Sequence, residues 1–310
     1  MNNEIKKIVD NVEKVIIGKT DVILKTLTAL ISGGHVLVED VPGVGKTQLV
    51  SAIAKSLNGK FNRIQLTPDV MPSDIVGFSM INPQTREIEY KQGIADCNFL
   101  LADEINRASP KAQSSLLEIM EEYQISLDGK TYNLPKPFMT LATQNPVETY
   151  GTYHLPEAQM DRFLMKISIG YPSREQEIEI INRKSVTDTT ALSPVMDISA
   201  IEEMKSDSEK VFVSEEIKGY ILDIIEATRT SSDFKLGASP RASIALLKSS
   251  KAFAFVNGRD YVTPDDVKKL AVNVIAHRLI LSPKGKAAYN TNEKAVEAIL
   301  EKVNVPTIRN

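Results

Sequence analysis

Residues 36–47, Val36-Leu-Val-Glu-Asp-Val-Pro-Gly-Val-Gly-Lys-Thr47, run from an apolar strand through a Pro/Gly turn into a helix, and no other stretch constrains the fold as tightly. A turn of this kind between a buried strand and a helix calls for an α/β layer around it. It also has the parts of a phosphate-binding loop. Pro42, Gly43, Val44 and Gly45 shape a turn whose backbone N–H groups close around phosphate oxygens, Lys46 brings a cation to the β/γ oxygens, and Thr47 brings a hydroxyl to Mg²⁺. The helix that continues through Gln48 aims its positive end at the same anion. One position departs from the Gly-x-x-x-x-Gly-Lys-Thr pattern: Asp40 stands where the first glycine is usual, and Asp tolerates the left-handed backbone better than most residues.

Binding a nucleoside triphosphate does not require cleaving it, so the next signal needed is an acid pair at the end of a neighbouring strand. Asn98-Phe-Leu-Leu-Ala-Asp-Glu104 supplies one, with Asp103 for the Mg²⁺ sphere and Glu104 to polarise an attacking water. The plainer reading, two acids ending a buried strand at solvent, loses weight once a phosphate loop lies upstream. A strand at 139–143 leads into Gln144-Asn145-Pro146, which puts Asn145 where an amide can orient water or sense a γ-phosphate. Arg162, beside Asp161 at a helix end, has two readings: a local pair with Asp161, or a cation reaching a neighbouring subunit's γ-phosphate. Arg241 follows Ser239-Pro240 at a helix start, where a cation opposes the helix dipole and calls for an external anion such as phosphate. Near the N-terminus, Val15, Ile16, Ile17 and Gly18 form an apolar turn that fits either a purine ring or ordinary core packing.

The remaining pattern sets the organisation. Strands at 35–39, 61–66, 98–102, 139–143 and 164–168 alternate with helices at 46–57 and 109–122, as in a parallel sheet covered on both faces. Two hairpins interrupt it, at about 75–95 and 124–138, the second turning at Asp128-Gly129. From 173 the periodicity is helical, at 175–184, 198–205, 214–231, 240–257, 263–278 and 293–303, with a polar loop at 185–194. This predicts a nucleotide-binding domain over 1–172 and an all-helical domain over 173–310.

Composition excludes several classes. A net charge of −3 argues against a broad nucleic-acid footprint. No apolar run approaches the ~20 residues of a membrane span, and residues 1–10 form a charged amphipathic helix rather than a leader, so a cytoplasmic protein with no membrane insertion is expected. The single Cys97 and the scattered His35, His154 and His277 rule against disulfides and a Cys/His zinc site.

With these residues assembled, the chain resembles the MoxR family of AAA+ ATPases over nearly its whole length. Further motifs carry the likeness: Thr67-Pro-Asp-Val-Met-Pro-Ser-Asp-Ile-Val-Gly77, Leu101-Ala-Asp-Glu-Ile-Asn-Arg-Ala108, Gly151-Thr-Tyr-His-Leu-Pro-Glu-Ala-Gln-Met-Asp-Arg-Phe163 and Gly237-Ala-Ser-Pro-Arg-Ala242. The resemblance implies a three-layer αβα P-loop NTPase domain with a smaller helical lid, ATP and Mg²⁺ bound between them, and a ring homo-oligomer, commonly a hexamer. It implies that Lys46, Thr47, Asp103 and Glu104 act in cis, that Asn145 and Arg241 are the first and second sensors, and that Arg162 is an arginine finger. The hairpins become insertions facing the ring's pore or upper face. The implied role is a chaperone for a client protein, worked with a von Willebrand factor A domain partner and in some members serving metal-cofactor insertion. Two rival readings are a nucleic-acid-stimulated motor, for which Lys91, Lys130 and Lys136 lie on or near the hairpins among Glu87 and Glu89, and an ATP-gated scaffold with little turnover.

Overall fold

In the computed structural model, which describes residues 1–145, 152–182 and 192–306, five parallel strands form one sheet. Their order is β2 (Phe61–Gln65), β5 (Phe99–Asp103), β8 (Met139–Gln144), β1 (Val36–Glu39) and β9 (Met165–Ile167). The acid-bearing strand β5 is therefore not the neighbour of the loop-bearing strand β1; β8 lies between them and pairs with both. Pro146, Gly151 and most of the 185–194 loop fall outside the described residues.

Alternation along these strands builds the layers. Successive side chains of a strand point to opposite faces. Val36, Val38, Phe99, Leu101, Met139 and Leu141 enter one core, while Leu37, Leu100, Ala102 and Ala142 enter the other. The first core is closed by α1 (Asn3–Val12), α2 (Thr20–Ile31) and α3 (Lys46–Ser56), and runs without a break into the helical part of the chain. The second is closed by α4 (Pro72–Val76) and by Leu116, Leu117, Ile119 and Met120 of α5 (Pro110–Glu122). Strands buried on both faces read as the continuous apolar runs seen in the sequence.

Both hairpins form. β3 (Gly77–Ile81) pairs antiparallel with β4 (Ile88–Gln92), and β6 (Gln124–Leu127) with β7 (Lys130–Asn133). Asp128 and Gly129 both have positive φ, 51° and 74°, as the two-residue turn of a tightly twisted hairpin requires. The rings of Tyr90 and Tyr132 stack with centroids 4.1 Å apart, so the hairpins lean on one another.

Just upstream of β9 lies α6 (Glu157–Met160), and after β9 come α7 (Arg174–Asn182), α8 (Ala200–Glu209), α9 (Glu215–Thr230), α10 (Pro240–Val256), α11 (Pro264–Ile275), α12 (Pro283–Tyr289) and α13 (Asn292–Lys302). The expectation of an all-helical second part needs correcting: Phe234–Leu236 (β10) and Ile280–Leu281 (β11) form a small antiparallel ribbon. Strands this short show no alternation, and their pairing is purely tertiary. The lid is anchored to the sheet by Lys166, whose ammonium lies 2.7 Å from both Glu39 on β1 and Glu293 on α13.

His35 shows how tightly the second core is specified. Its Nε2 donates to the Met120 carbonyl at 2.7 Å and its Nδ1 accepts from the Thr140 N–H at 2.9 Å, which fixes the neutral tautomer. Burial pushes its pKa from 6.5 down to about 4. The unfolded chain then binds the proton more readily than the folded one, so stability is full above pH 6.5 and falls as pH drops towards 4. The loss is on the order of 3 kcal/mol from this group. Urea unfolding of the wild type and His35→Gln between pH 7 and 4 checks this: the variant is expected to be less stable at pH 7 but to lose less on acidification.

Candidate active site

The phosphate loop takes its shape from two glycines. Gly43 and Gly45 have φ of 88° and 92°, and a Cβ at Gly43 would meet nothing within 4 Å, so the backbone angle and not lack of room excludes a side chain there. Gly45 caps α3, whose first two residues are Lys46 and Thr47. The Lys46 ammonium donates to the Asp40 carbonyl at 2.9 Å, which folds it back over the loop.

Asp40, the departure from the glycine pattern, is buried and well partnered. Its carboxylate accepts from the Ser168 hydroxyl at 3.0 Å, from the Gly170 N–H at 3.3 Å and from the Ile169 N–H. The start of the phosphate loop is thus tied to the segment that leaves β9 towards α7. Removing the carboxylate leaves buried N–H groups without an acceptor, at about 1–3 kcal/mol. Asp40→Ala is expected to lower stability by that amount and to weaken ATP binding about tenfold through loop disorder. Asp40→Asn, which keeps one acceptor, is expected to lose less; denaturation and nucleotide titration measure both.

Asp103 and Glu104 close β5. Thr143, on β8, serves both: its hydroxyl donates to Asp103 Oδ1 at 3.2 Å and accepts from the Glu104 N–H at 2.9 Å. Glu104 has a positive φ of 57°, a rare conformation for a non-glycine residue. Arg107 holds the Glu104 carboxylate at 2.9 Å, while Arg63 on β2 donates to Asp103 Oδ2 at 2.7 Å. Arg63 and Thr143, which line the candidate site, and Arg107, which pairs with Glu104, are residues that sequence reading missed. Arg107 had a weak signal in its spacing of three from Glu104; Arg63 had none, because strand pairing alone brings it there.

Pro42, Gly43, Gly45, Lys46, Thr47, Gln48, Asp103, Glu104 and Asn145 line one cavity of about 370 Å³, together with Arg63 and Thr143. The donor set fits MgATP: a concave N–H loop and an ammonium for phosphate, with a hydroxyl and a carboxylate across the same cavity for Mg²⁺. Val44 instead packs on the first core.

Three candidate features do not line this cavity. The side chains of Val15 and Ile16 are buried in the first core, so the packing alternative describes them; Ile17 is half-buried and Gly18 exposed. Gly18 accepts from Gln176 at 3.3 Å and Lys19 donates to the Tyr171 carbonyl at 2.9 Å, which sets the turn against the segment Asp40 grips. Arg162 does not take the local pair with Asp161. Asp161 is engaged by Arg278 and by the Ser239 hydroxyl at 2.9 Å, and Arg162 reaches Glu121 at 3.2 Å. Arg241 reaches the same Glu121 at 2.5 Å. Both arginines line a second cavity, and the two cavities share no residue.

Sheet order and loop geometry together define a P-loop nucleotide-binding protein. Comparison with known proteins agrees. Residues 35–165 match the profile of the ATPase family associated with various cellular activities (AAA), and residues 226–302 match the AAA lid domain. The chain is 46% identical over 304 residues to the uncharacterized protein YeaC of Bacillus subtilis, covering 98% of this chain and 95% of that one. It is 40% identical over 315 residues to Chaperone MoxR1 of Mycobacterium tuberculosis, covering 98% and 83%. The solved structure of a candidate ATPase from Cytophaga hutchinsonii superposes with a TM-score of 0.90 at 41% identity, over 98% of this chain and 96% of that one. The chain belongs to the MoxR family of AAA+ ATPases.

Proposed function

We propose that this chain hydrolyses MgATP at sites shared between neighbouring subunits of a ring, commonly a hexamer, and uses the cycle to remodel or activate a client protein with a von Willebrand factor A domain partner. One observation carries the shared-site reading. The loop, the acid pair and Asn145 surround one cavity, whereas Arg162 and Arg241 stand together at another, so a single chain has no arginine of this pair at its own phosphate loop. A neighbour that brings its arginine face to the loop completes the site.

In that arrangement, Lys46 and the loop N–H groups hold the β/γ-phosphates, and Thr47 and Asp103 hold the metal. Mg²⁺ held there would offset the charge that develops on the phosphoryl oxygens. Glu104 leaves Arg107 to orient the attacking water, Asn145 fixes that water on the γ-phosphate side, and the neighbour's Arg162 stabilises transition-state charge. The neighbour's Arg241 reports the nucleotide state to its own lid. The base rests against the turn of Ile17 and Gly18, which Lys19, Tyr171 and Asp40 link to the loop. The chaperone role rests on the name carried by the mycobacterial relative. Among the described residues, no helix is long and apolar enough to cross a membrane, and a cytoplasmic setting is part of the proposal.

Phosphate release from ATP, measured with Mg²⁺ and with EDTA, tests the activity. Turnover only with Mg²⁺ is expected; none at any concentration contradicts the reading and favours an ATP-gated scaffold. On the first hairpin Lys91 is paired with Glu89 at 2.9 Å, which takes one of its three lysines from the nucleic-acid alternative. Stimulation by DNA that disappears between about 50 and 200 mM salt would speak for it.

A further inference from the structure

Glu121 lies in the last turn of α5, where the helix dipole favours cations over anions. Arg241 lies in the first turn of α10, where the dipole favours anions. Each charge is misplaced on its own helix, and each is compensated by the other. Arg162, from the turn after α6, shares the compensation: it approaches one Glu121 oxygen at 3.2 Å while Arg241 approaches the other at 2.5 Å. Two guanidiniums from different layers are thereby set side by side despite their mutual repulsion.

The bases of both arginines are fixed separately. Asp161, next to Arg162, takes Arg278 from the lid and the hydroxyl of Ser239, the residue that precedes α10. This joins the Arg162 turn to the start of the Arg241 helix and leaves the Arg162 tip to Glu121. The Glu121 side chain is 36% exposed, and ion pairs this open contribute little to stability. Its consequence is alignment.

We infer that Glu121 is a positioning residue for catalysis, holding Arg162 and Arg241 as a pair that enters the adjacent subunit's phosphate site together. This rests on the reading that both arginines act in trans. Glu121 does not line its own subunit's loop cavity, so its loss acts on turnover and not on ATP binding in cis.

The test uses the full chain as Glu121→Ala, Glu121→Gln, Arg162→Ala and Lys46→Ala, alone and in equimolar mixtures. Glu121→Ala is expected to keep its oligomer mass, to melt within about 2 °C of wild type, and to bind MgATP unchanged. Its kcat is expected to fall about 10- to 100-fold, with Glu121→Gln between. Mixing Glu121→Ala with Lys46→Ala is expected to recover turnover, because the Lys46→Ala subunit brings an intact arginine face to a neighbour with an intact loop. A merely structural role would lower melting temperature or mass and would not be complemented. Wild-type or faster turnover by both Glu121 variants, or a loss confined to ATP affinity, overturns the inference. Arg162→Ala mixed with Lys46→Ala is the control for the underlying reading. Recovery there with unaffected Glu121 variants removes only the Glu121 assignment, and no recovery there removes the trans reading and the assignment with it.

Discussion

Glu104→Gln is expected to bind MgATP with wild-type affinity and to turn it over about 10²–10⁴-fold more slowly. The substitution keeps the side chain's size and its N–H bond to Thr143, so the positive-φ turn after β5 survives. What it removes is the charge proposed to polarise water, together with most of the attraction to Arg107 at 2.9 Å. Asp103 and Thr47 are untouched, so metal and phosphate binding remain. Single-turnover hydrolysis and equilibrium binding of a fluorescent ATP analogue separate the two quantities. A parallel loss of affinity would mean that Glu104 shapes the pocket and does not serve the water.

Arg162→Ala is expected to lose on the order of 10³-fold in kcat while each subunit still binds ATP. An arginine supplied to another subunit's transferring phosphoryl group is felt only in the transition state, which is why the loss falls on kcat. The structure limits the collateral damage. Arg162 is 31% exposed and its partner Glu121 is 36% exposed, so the lost ion pair contributes at most about 1 kcal/mol to folding. Asp161 keeps Arg278 and Ser239, which holds the turn in place. The contrasting substitution is Asp161→Ala, which strands a buried arginine and is expected to destabilise the chain by about 3–5 kcal/mol. Thermal melts of the two variants distinguish the proposed role of Arg162 from that of a structural carboxylate one residue away.

Much of this site is local and therefore legible in sequence. The loop needs glycine where φ is positive, a lysine and threonine at the helix start, and an apolar strand before them, and all of these are neighbours in the chain. The acid pair is legible because strand β5 is apolar until it ends in Asp103. The Asp128-Gly129 hairpin is legible because its turn type demands those residues. What escaped depends on pairing between distant segments. Arg63 reaches Asp103 only because β2 pairs with β5 in a register that places Gln65 opposite Asp103. Thr143 serves both acids only because β8 is inserted beside β5. The β10–β11 ribbon is too short to leave a periodic trace, and α12 spans seven residues with only Gly285 buried, which gives no apolar stripe to read.

Asp40 and the arginine pair teach the converse lesson. Asp40 looked like a flaw in a motif, and its partners at residues 168–170 make it a brace between the loop and the path to the lid. Arg241 called for an anion, and within one chain that anion is Glu121. Helix electrostatics identified the need but could not name the partner, since several acids and a neighbouring nucleotide all satisfy it equally well from sequence.

Steady-state ATP hydrolysis as a function of protein concentration, with oligomer mass recorded at every point, tests the shared active site most directly. Specific activity is expected to rise cooperatively with concentration and to track the assembled fraction. Full turnover by a species whose mass is that of a single chain would contradict it.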